Sequence, residues 1–385
     1  VPSTRLTATL VALAITALPG AAQAASHGPA PAGCATADAH CAASRHRPAA
    51  LAGAHTAGRV TADGELVRYS WPGVYFEGRF RGTGVGIVLD DPVNDYDIQL
   101  DGTTVATLVT PGRTTHWLTG LPNDRHTVRL VKRTESTWTS GAFGGFVAAP
   151  GGKILDPPRA RSRQIEFIGD SNTVGYGNMS TTRDCTGEEV TRRTNTDLSF
   201  GALTARRLGA DYQVNAYSGL GMVRNYDGHS PGTSYRTYYQ RSLLGVDGDV
   251  WARPATWRPQ VVVVALGAND FSTALRPDEP WTPESLVAAY RQAYHGFLDT
   301  LRARYGRHTR IVVMATSLWN TTAFAEAAEQ VARERNDRGD ARIHHWYHDG
   351  AGQDALGCHW HLSLHDHQLT ADRLGEFLAT LPLRW

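Results

Sequence analysis

The sequence predicts two folds in series: an all-β sandwich or jelly roll, then a three-layer α/β/α domain built on a parallel sheet. Three observations predict this. Between about Gly58 and Ile154, short alternating apolar runs are broken by turn residues with no helical pattern between them. Beyond the stretch "LDPPRARSRQ", apolar runs of strand length alternate with stretches of helical period. At 385 residues the chain is long enough to bury two cores.

In chain order, the first segment carries Arg5, an apolar run from Leu10 to Leu18, the breaker Pro19-Gly20 and the small residues Ala22-Gln23-Ala24. A run this short cannot span a bilayer, and a small-x-small site follows it, so residues 1–24 read as a secretory signal and the product as exported, with no membrane anchor. Residues 25–57, rich in Ala, Pro, Gly and His, read as a tail or linker.

The sandwich is expected over 58–155, where Tyr96, Ile98 and Leu100 alternate, as do Val128 and Leu130, and Asp101-Gly102 signals a hairpin. The glycines of "GTGVGIVL" do not make a nucleotide loop, because their spacing is one residue short and a strand follows them.

The α/β domain is expected over 160–385. Ile165 to Ile168 is a buried strand, Leu198 to Leu208 a helix, Tyr212 to Ala216 a strand, and Val261 to Leu266 a continuous apolar strand. Thr282-Pro283-Glu284 opens a helix with a cap, a first-position proline and an acidic first turn. A strand at Ile311 to Met314, a helix over 321–335 and a closing helix from Leu369 to Leu381 complete it. Ligands of such a sheet bind beyond the carboxyl ends of its strands.

Charge excludes more than it suggests. Lys plus Arg number 38 against 37 Asp plus Glu, a net charge of +1, which argues against a polyanion-binding surface and suggests no nucleic acid. The four cysteines, in an exported chain, invite two disulfides. Cys34 and Cys41 flank a short polar loop, leaving Cys185 with Cys358, although four cysteines allow three connectivities and sequence alone does not choose. No Cys-x-x-Cys spacing supports zinc instead.

Three stretches fall just past strand ends: "GDSNTVG", "YSGLGMVRN" and "LGAND"; a fourth, "GCHWHLSLHDHQ", lies near the chain end. Acyl transfer needs an exposed hydroxyl, an imidazole to take its proton and donors for the oxyanion. Ser171 and His361 supply the first two, and Ser171 N–H, Gly219 N–H and the Asn269 amide the third. Taken singly, Ser171 and Asn269 are ordinary caps, Gly219 a turn glycine and His361 a packed histidine. Together, in order and at successive strand ends, they form a site. His344, His345 and His348 do not, since adjacent strand residues point to opposite faces; no metal is expected, and His365 and His367 are unassigned.

The four blocks resemble those of the SGNH, or GDSL, hydrolases. "IEFIGDSNTVGYGN", "YSGLGMVRNY" and "GCHWHLSLHDHQ", with "HTVRLVKRTES", "FGGF" and "GGKILDPP" before them, resemble carbohydrate esterase family 2 over about residues 58–385. That resemblance implies a flavodoxin-like SGNH domain after a jelly roll, with Ser171 as nucleophile, Gly219 and Asn269 completing the oxyanion hole, His361 as general base and Trp360 lining the substrate site. It implies an O-acetylesterase of plant-wall xylan or glucomannan; the signal segment makes it a secreted one, the acyl-transfer chemistry needs no cofactor, and a monomer is expected. The alternatives are a GDSL esterase or lipase of other acyl specificity, and a polysaccharide-binding protein with impaired catalysis.

One departure stands out. The family usually reads Asp-Trp-His-Pro in the last block, where this chain has His359-Trp360-His361-Leu362. The expectation is a Ser-His dyad whose imidazole is held by a backbone carbonyl, with modest activity; Asp354, Asp366 and His359 are the alternative orienting groups.

Overall fold

A computed structural model describes residues 48–385 except 137 and 384. The expected secretory signal, the expected tail to residue 47 and the expected Cys34–Cys41 pair lie outside the described residues. The expected tail ends sooner than residue 57. Ala49–Leu51 form a 3-10 turn, and β1 (Ala54–His55) pairs antiparallel with Gly78 and Glu77. Low apolar periodicity hid this strap, which is held by backbone pairing and small buried alanines rather than by an apolar face.

The first domain is antiparallel throughout. Strands β2 (Thr61–Asp63), β3 (Leu66–Tyr69), β4 (Tyr75–Asp91), β5 (Asp95–Leu100), β6 (Thr103–Val109), β7 (Gly112–Lys132), β8 (Gly141–Ala148) and β9 (Lys153–Ile154) surround Tyr69, Phe76, Phe80, Ile87, Tyr96 and Phe143. Asp101 and Gly102, both at positive φ, join β5 to β6, as a two-residue hairpin turn requires. The glycine-rich "GTGVGIVL" lies inside β4, where the β7 register shifts between Gly82 and Gly84.

The second domain is a five-stranded parallel sheet in the order β11-β10-β12-β13-β14, formed by β10 (Gln164–Gly169), β11 (Asp211–Ala216), β12 (Val261–Ala265), β13 (Arg310–Thr316) and β14 (Ile343–His348). This is the flavodoxin-like order, and its direction reverses between β10 and β12. Its helices are α1 (Ser171–Val174), α2 (Gly187–Arg193), α3 (Phe200–Arg207), α4 (Tyr235–Tyr238), α5 (Ala268–Phe271), α6 (Pro283–Tyr305), α7 (Ala323–Asp337) and α8 (Leu364–Thr380). Thr282 caps α6 with proline at the first position. The closing helix starts five residues before the expected Leu369, at a capping box in which Ser363 accepts from the Asp366 N–H.

The two domains share buried contacts. All six residues of β11 are buried, on both faces of the strand. Its polar set meets the first domain: Asp211 accepts from the Tyr75 hydroxyl at 2.8 Å, and Gln213 donates to the Ala57 carbonyl. Arg59, wholly buried, pairs with Glu166 of β10 at 2.9 Å.

Candidate active site

Register brings three of the four blocks level. Gly169, the last residue of β10, pairs with Ala216 of β11 on one side and Ala265 of β12 on the other. Ser171, Gly219 and Asn269 therefore leave the sheet side by side at its topological switch point. Ser171 opens α1, whose cap is Asp170, accepting from the Asn172 N–H at 3.1 Å. The Ser171 N–H, at the first helical position, has no intrahelical carbonyl within reach and is a free donor beside the Ser171 hydroxyl. Gly219 sits at φ +78, which glycine adopts without steric penalty. Gly267, at φ +141, starts α5; a Cβ there would meet Phe324 at 2.1 Å, so the turn that presents Asn269 excludes any larger residue.

The loops carrying Gly219 and Asn269 are pinned from both domains. Asn269 spends one amide hydrogen on the Leu220 carbonyl at 2.9 Å, which orients the other. Asp270 accepts from the N–H groups of Met222, Val223 and Arg224 at 2.8, 2.8 and 2.9 Å. Glu135, from the first domain, accepts from the Ser218 N–H at 2.7 Å, one residue before Gly219. Sequence reasoning missed Glu135 because it precedes the α/β domain and lies far from every block. Burial pushes the Asp170 carboxyl up to about 7, and the Asp270 and Glu135 charges add to this while the Asn172 N–H opposes it. Burial pushes Asp270 up to about 6 against its three backbone donors.

His361 joins Ser171 across the site. Its Nε2 lies 2.9 Å from the Ser171 hydroxyl, and its Nδ1 lies 2.9 Å from the Cys358 carbonyl. A carbonyl only accepts, so Nδ1 carries the proton and Nε2 is the free base. Burial holds the imidazole below its ordinary pKa, while its backbone partners pull the other way. The Tyr176 ring packs 4.4 Å from it.

None of the three alternative orienting side chains bonds the His361 ring. Asp366 is the wholly buried anchor of the α8 start and accepts from the N–H groups of Asp354 and Ala355. Asp354 caps its own turn by accepting from the Leu356 N–H. His359 turns away from His361: its Nε2 donates to the Cys185 carbonyl at 2.8 Å, and its Nδ1 accepts from the Tyr176 hydroxyl at 3.2 Å.

The loop carrying the base is irregular, and cross-links hold it. His359 and Trp360 are both left-handed, at φ +54 and +65, a cost on the order of 1 kcal/mol each for residues with a Cβ. A disulfide joins Cys185 to Cys358, the residue whose carbonyl holds His361. Arg183 donates to the carbonyls of Asp354 and Ala355, and its guanidinium lies 3.9 Å from the Trp360 ring centre.

This geometry displays Trp360, 71 % exposed, and Trp319 beyond β13 is 91 % exposed. Both line a cavity of about 440 Å³ that also takes in Asn172, next to Ser171. Trp319 was missed too, although a tryptophan in the polar loop "SLWNTT" past a strand end was a signal. Three of the remaining histidines make hydrogen bonds within the fold. His344 accepts from Arg310, His348 bonds Gln353 and Thr370, and His367 accepts from the Phe200 N–H and is pushed down to about 3 by burial.

Residues 56–158 match the model of the carbohydrate esterase 2 N-terminal domain, and residues 167–370 that of the GDSL-like lipase/acylhydrolase family. An acetylxylan esterase / glucomannan deacetylase of Cellvibrio japonicus is 41 % identical over 327 residues, which are 83 % of this chain and 89 % of that protein. The cellulase/esterase CelE of Acetivibrio thermocellus is 30 % identical over 79 % of this chain and 36 % of its own length. Among solved structures, a carbohydrate esterase whose active site is described as having divergent catalytic and non-catalytic binding functions superposes with a TM-score of 0.79 at 38 % identity, over 86 % of this chain and 98 % of the other. A family two carbohydrate esterase from Clostridium thermocellum in complex with cellohexaose gives 0.74 at 30 % identity, over 85 % and 98 %.

Proposed function

The chain belongs to carbohydrate esterase family 2, on a GDSL-like hydrolase domain, and from that premise we propose that it is a secreted O-acetylesterase of xylan or glucomannan working through a Ser171-His361 dyad. The supporting observation is the 2.9 Å contact between Ser171 Oγ and an imidazole whose other nitrogen is committed to a carbonyl. Ser171 Oγ attacks the acetyl carbonyl carbon as its proton passes to His361 Nε2. The oxyanion forms against Ser171 N–H, Gly219 N–H and the free hydrogen of the Asn269 amide. The bond to the sugar oxygen breaks and His361 returns the proton to that oxygen. Water then repeats the sequence and releases acetate. The two exposed tryptophans offer flat apolar faces of the kind pyranose rings stack on, and the cavity between them is the proposed place for the chain bearing the ester.

Acetate release from acetylated xylan and glucomannan tests this, with Ser171→Ala expected to remove about 10⁶-fold of turnover. Activity extending undiminished to long acyl chains would move the specificity to a lipase. One observation favours a second reading, a polysaccharide-binding protein with impaired catalysis: a histidine stands where the family places an acid. Polymer binding without acetate release by folded protein would establish it.

A further inference from the structure

The opposite end of the parallel sheet carries a second groove, of about 920 Å³, which none of the four blocks reaches. It lies where β12 and β13 begin, bounded by the loop before β12, the end of α6 and the residue before β14. Arg253, Arg258, Arg304, Arg310, Arg342 and His308 line it, and its lining contains no aspartate or glutamate.

Many arginines of this nearly neutral chain find acids, as Arg129 does with Asp197, Arg224 with Glu279 and Arg302 with Asp340; others, such as Arg79 and Arg183, bond carbonyls, but they are not gathered in one groove. Among the described residues, none of the five groove arginines pairs with an acid. Arg253 donates to the Trp257 carbonyl at 2.6 Å, Arg258 to Ala255 at 3.0 Å and Arg342 to His308 at 3.2 Å. Arg310 donates to the Pro382 carbonyl at 3.0 Å and to His344, and Arg304 to the Gln240 side chain. A guanidinium has five donors, so Arg253, Arg258 and Arg342 each keep most of theirs. Arg304 sits in the last turn of α6, where a cation complements the helix dipole. That accounts for one of the five; Arg253, Arg258 and Arg342 come from loops. Burial and the neighbouring Arg342 charge both pull Arg310 below its ordinary pKa, so the crowding of like charge is not relieved within the chain.

We propose that this groove is a second polysaccharide-binding site, selective for chains bearing uronic-acid carboxylates, and that it holds the enzyme on acidic polymer. Guanidinium forks match the planar carboxylate bidentately. The choice of a carbohydrate carboxylate over other anions rests on the esterase reading above. Strands of five to seven residues separate the two ends of the sheet, about 20 Å at ~3.3 Å per residue. A polymer held here does not touch the reacting ester; it raises the local concentration of acetylated chain at Ser171. The near-zero net charge, which argued against a polyanion surface, concealed a local concentration of cations that only folding assembles.

Binding of the whole protein to deacetylated glucuronoxylan, to its carboxyl-reduced form, to glucomannan and to duplex DNA is the test, with turnover of a soluble acetate ester as a separate reading of the Ser171 site. The expected result is salt-sensitive binding to glucuronoxylan at least tenfold tighter than to the neutral polymers, an excess that Arg258→Gln/Arg342→Gln removes. The lysine versions should recover only part of it, since they keep charge and lose the fork. Equal binding to native and carboxyl-reduced polymer, or no loss in the folded double variant, overturns the proposal. DNA binding as tight as glucuronoxylan replaces it with a general cation surface. Loss of soluble-ester turnover in the wild type would instead fail the esterase reading, leaving the groove result to stand separately.

Discussion

The proposed nucleophile and the proposed base meet at 2.9 Å, yet opposite means hold them there. Ser171 follows directly from a buried central strand, and its neighbours on both sides of the sheet fix the height at which it leaves. His361 sits in a loop with two consecutive left-handed residues, reached through a 3-10 turn. Topology places the serine. A disulfide, an arginine and four carbonyls place the histidine. The difference teaches that the sheet's many cooperative bonds protect the nucleophile, whereas a few identifiable links protect the base.

Breaking one such link gives the largest separation. Replacing Cys185 and Cys358 together by serine releases the residue whose carbonyl fixes Nδ1, and a misplacement near 1 Å costs on the order of 100-fold in rate. Acetate release should fall about 10- to 100-fold while the fold persists, measured beside a thermal melt. Full activity in the unbridged variant would mean the remaining links suffice. The pH profile sharpens the same point. The base must be neutral, and burial holds His361 below 6.5, so the acid limb of kcat/KM should lie below pH 6.5 in the wild type. It should move up towards 6.5 when the bridge is removed and water reaches the ring; an unmoved limb would show that the loop stays closed.

On the nucleophile side, the corresponding probe is Glu135→Gln. Loss of a direct oxyanion donor costs about 10²- to 10³-fold. Glu135 acts one residue away, through the Ser218 N–H, and a glutamine oxygen still accepts, so a fall in kcat of about tenfold or less is expected with KM little changed. A larger effect would mean that the first domain positions the oxyanion loop more firmly than the sheet does.

The sequence exposed these two sides unequally. Strands that place Ser171, Gly219 and Asn269 announce themselves by apolar runs followed by turn residues, and their register is what a flavodoxin-like sheet enforces. Around His361 the signals were ambiguous in kind. An aspartate near a catalytic histidine looks the same whether it orients the ring or caps a helix, although Ser363-x-x-Asp366 was a readable capping box. Glu135 and the arginine groove come from elements that only tertiary packing unites, whereas Trp319 was readable as a tryptophan in a polar loop past a strand end.

The smallest effect expected belongs to the substitution that restores the family's acid, His359→Asp. A carboxylate in the usual place would stabilise the imidazolium that forms as Ser171 gives up its proton, and a gain in rate would follow if it reached Nδ1. The geometry denies it that reach. Nδ1 already donates to the Cys358 carbonyl, and the residue 359 side chain points to Tyr176 and the Cys185 carbonyl instead. Aspartate tolerates the left-handed backbone of this position, so the variant should fold. Its shorter, acceptor-only side chain loses the bond to the Cys185 carbonyl and places a negative charge beside an oxygen, which loosens the loop slightly. Acetate release should therefore stay level or fall a few-fold. A rise of tenfold or more would show that the loop rearranges to admit the acid, and that the base is held less firmly than its links imply.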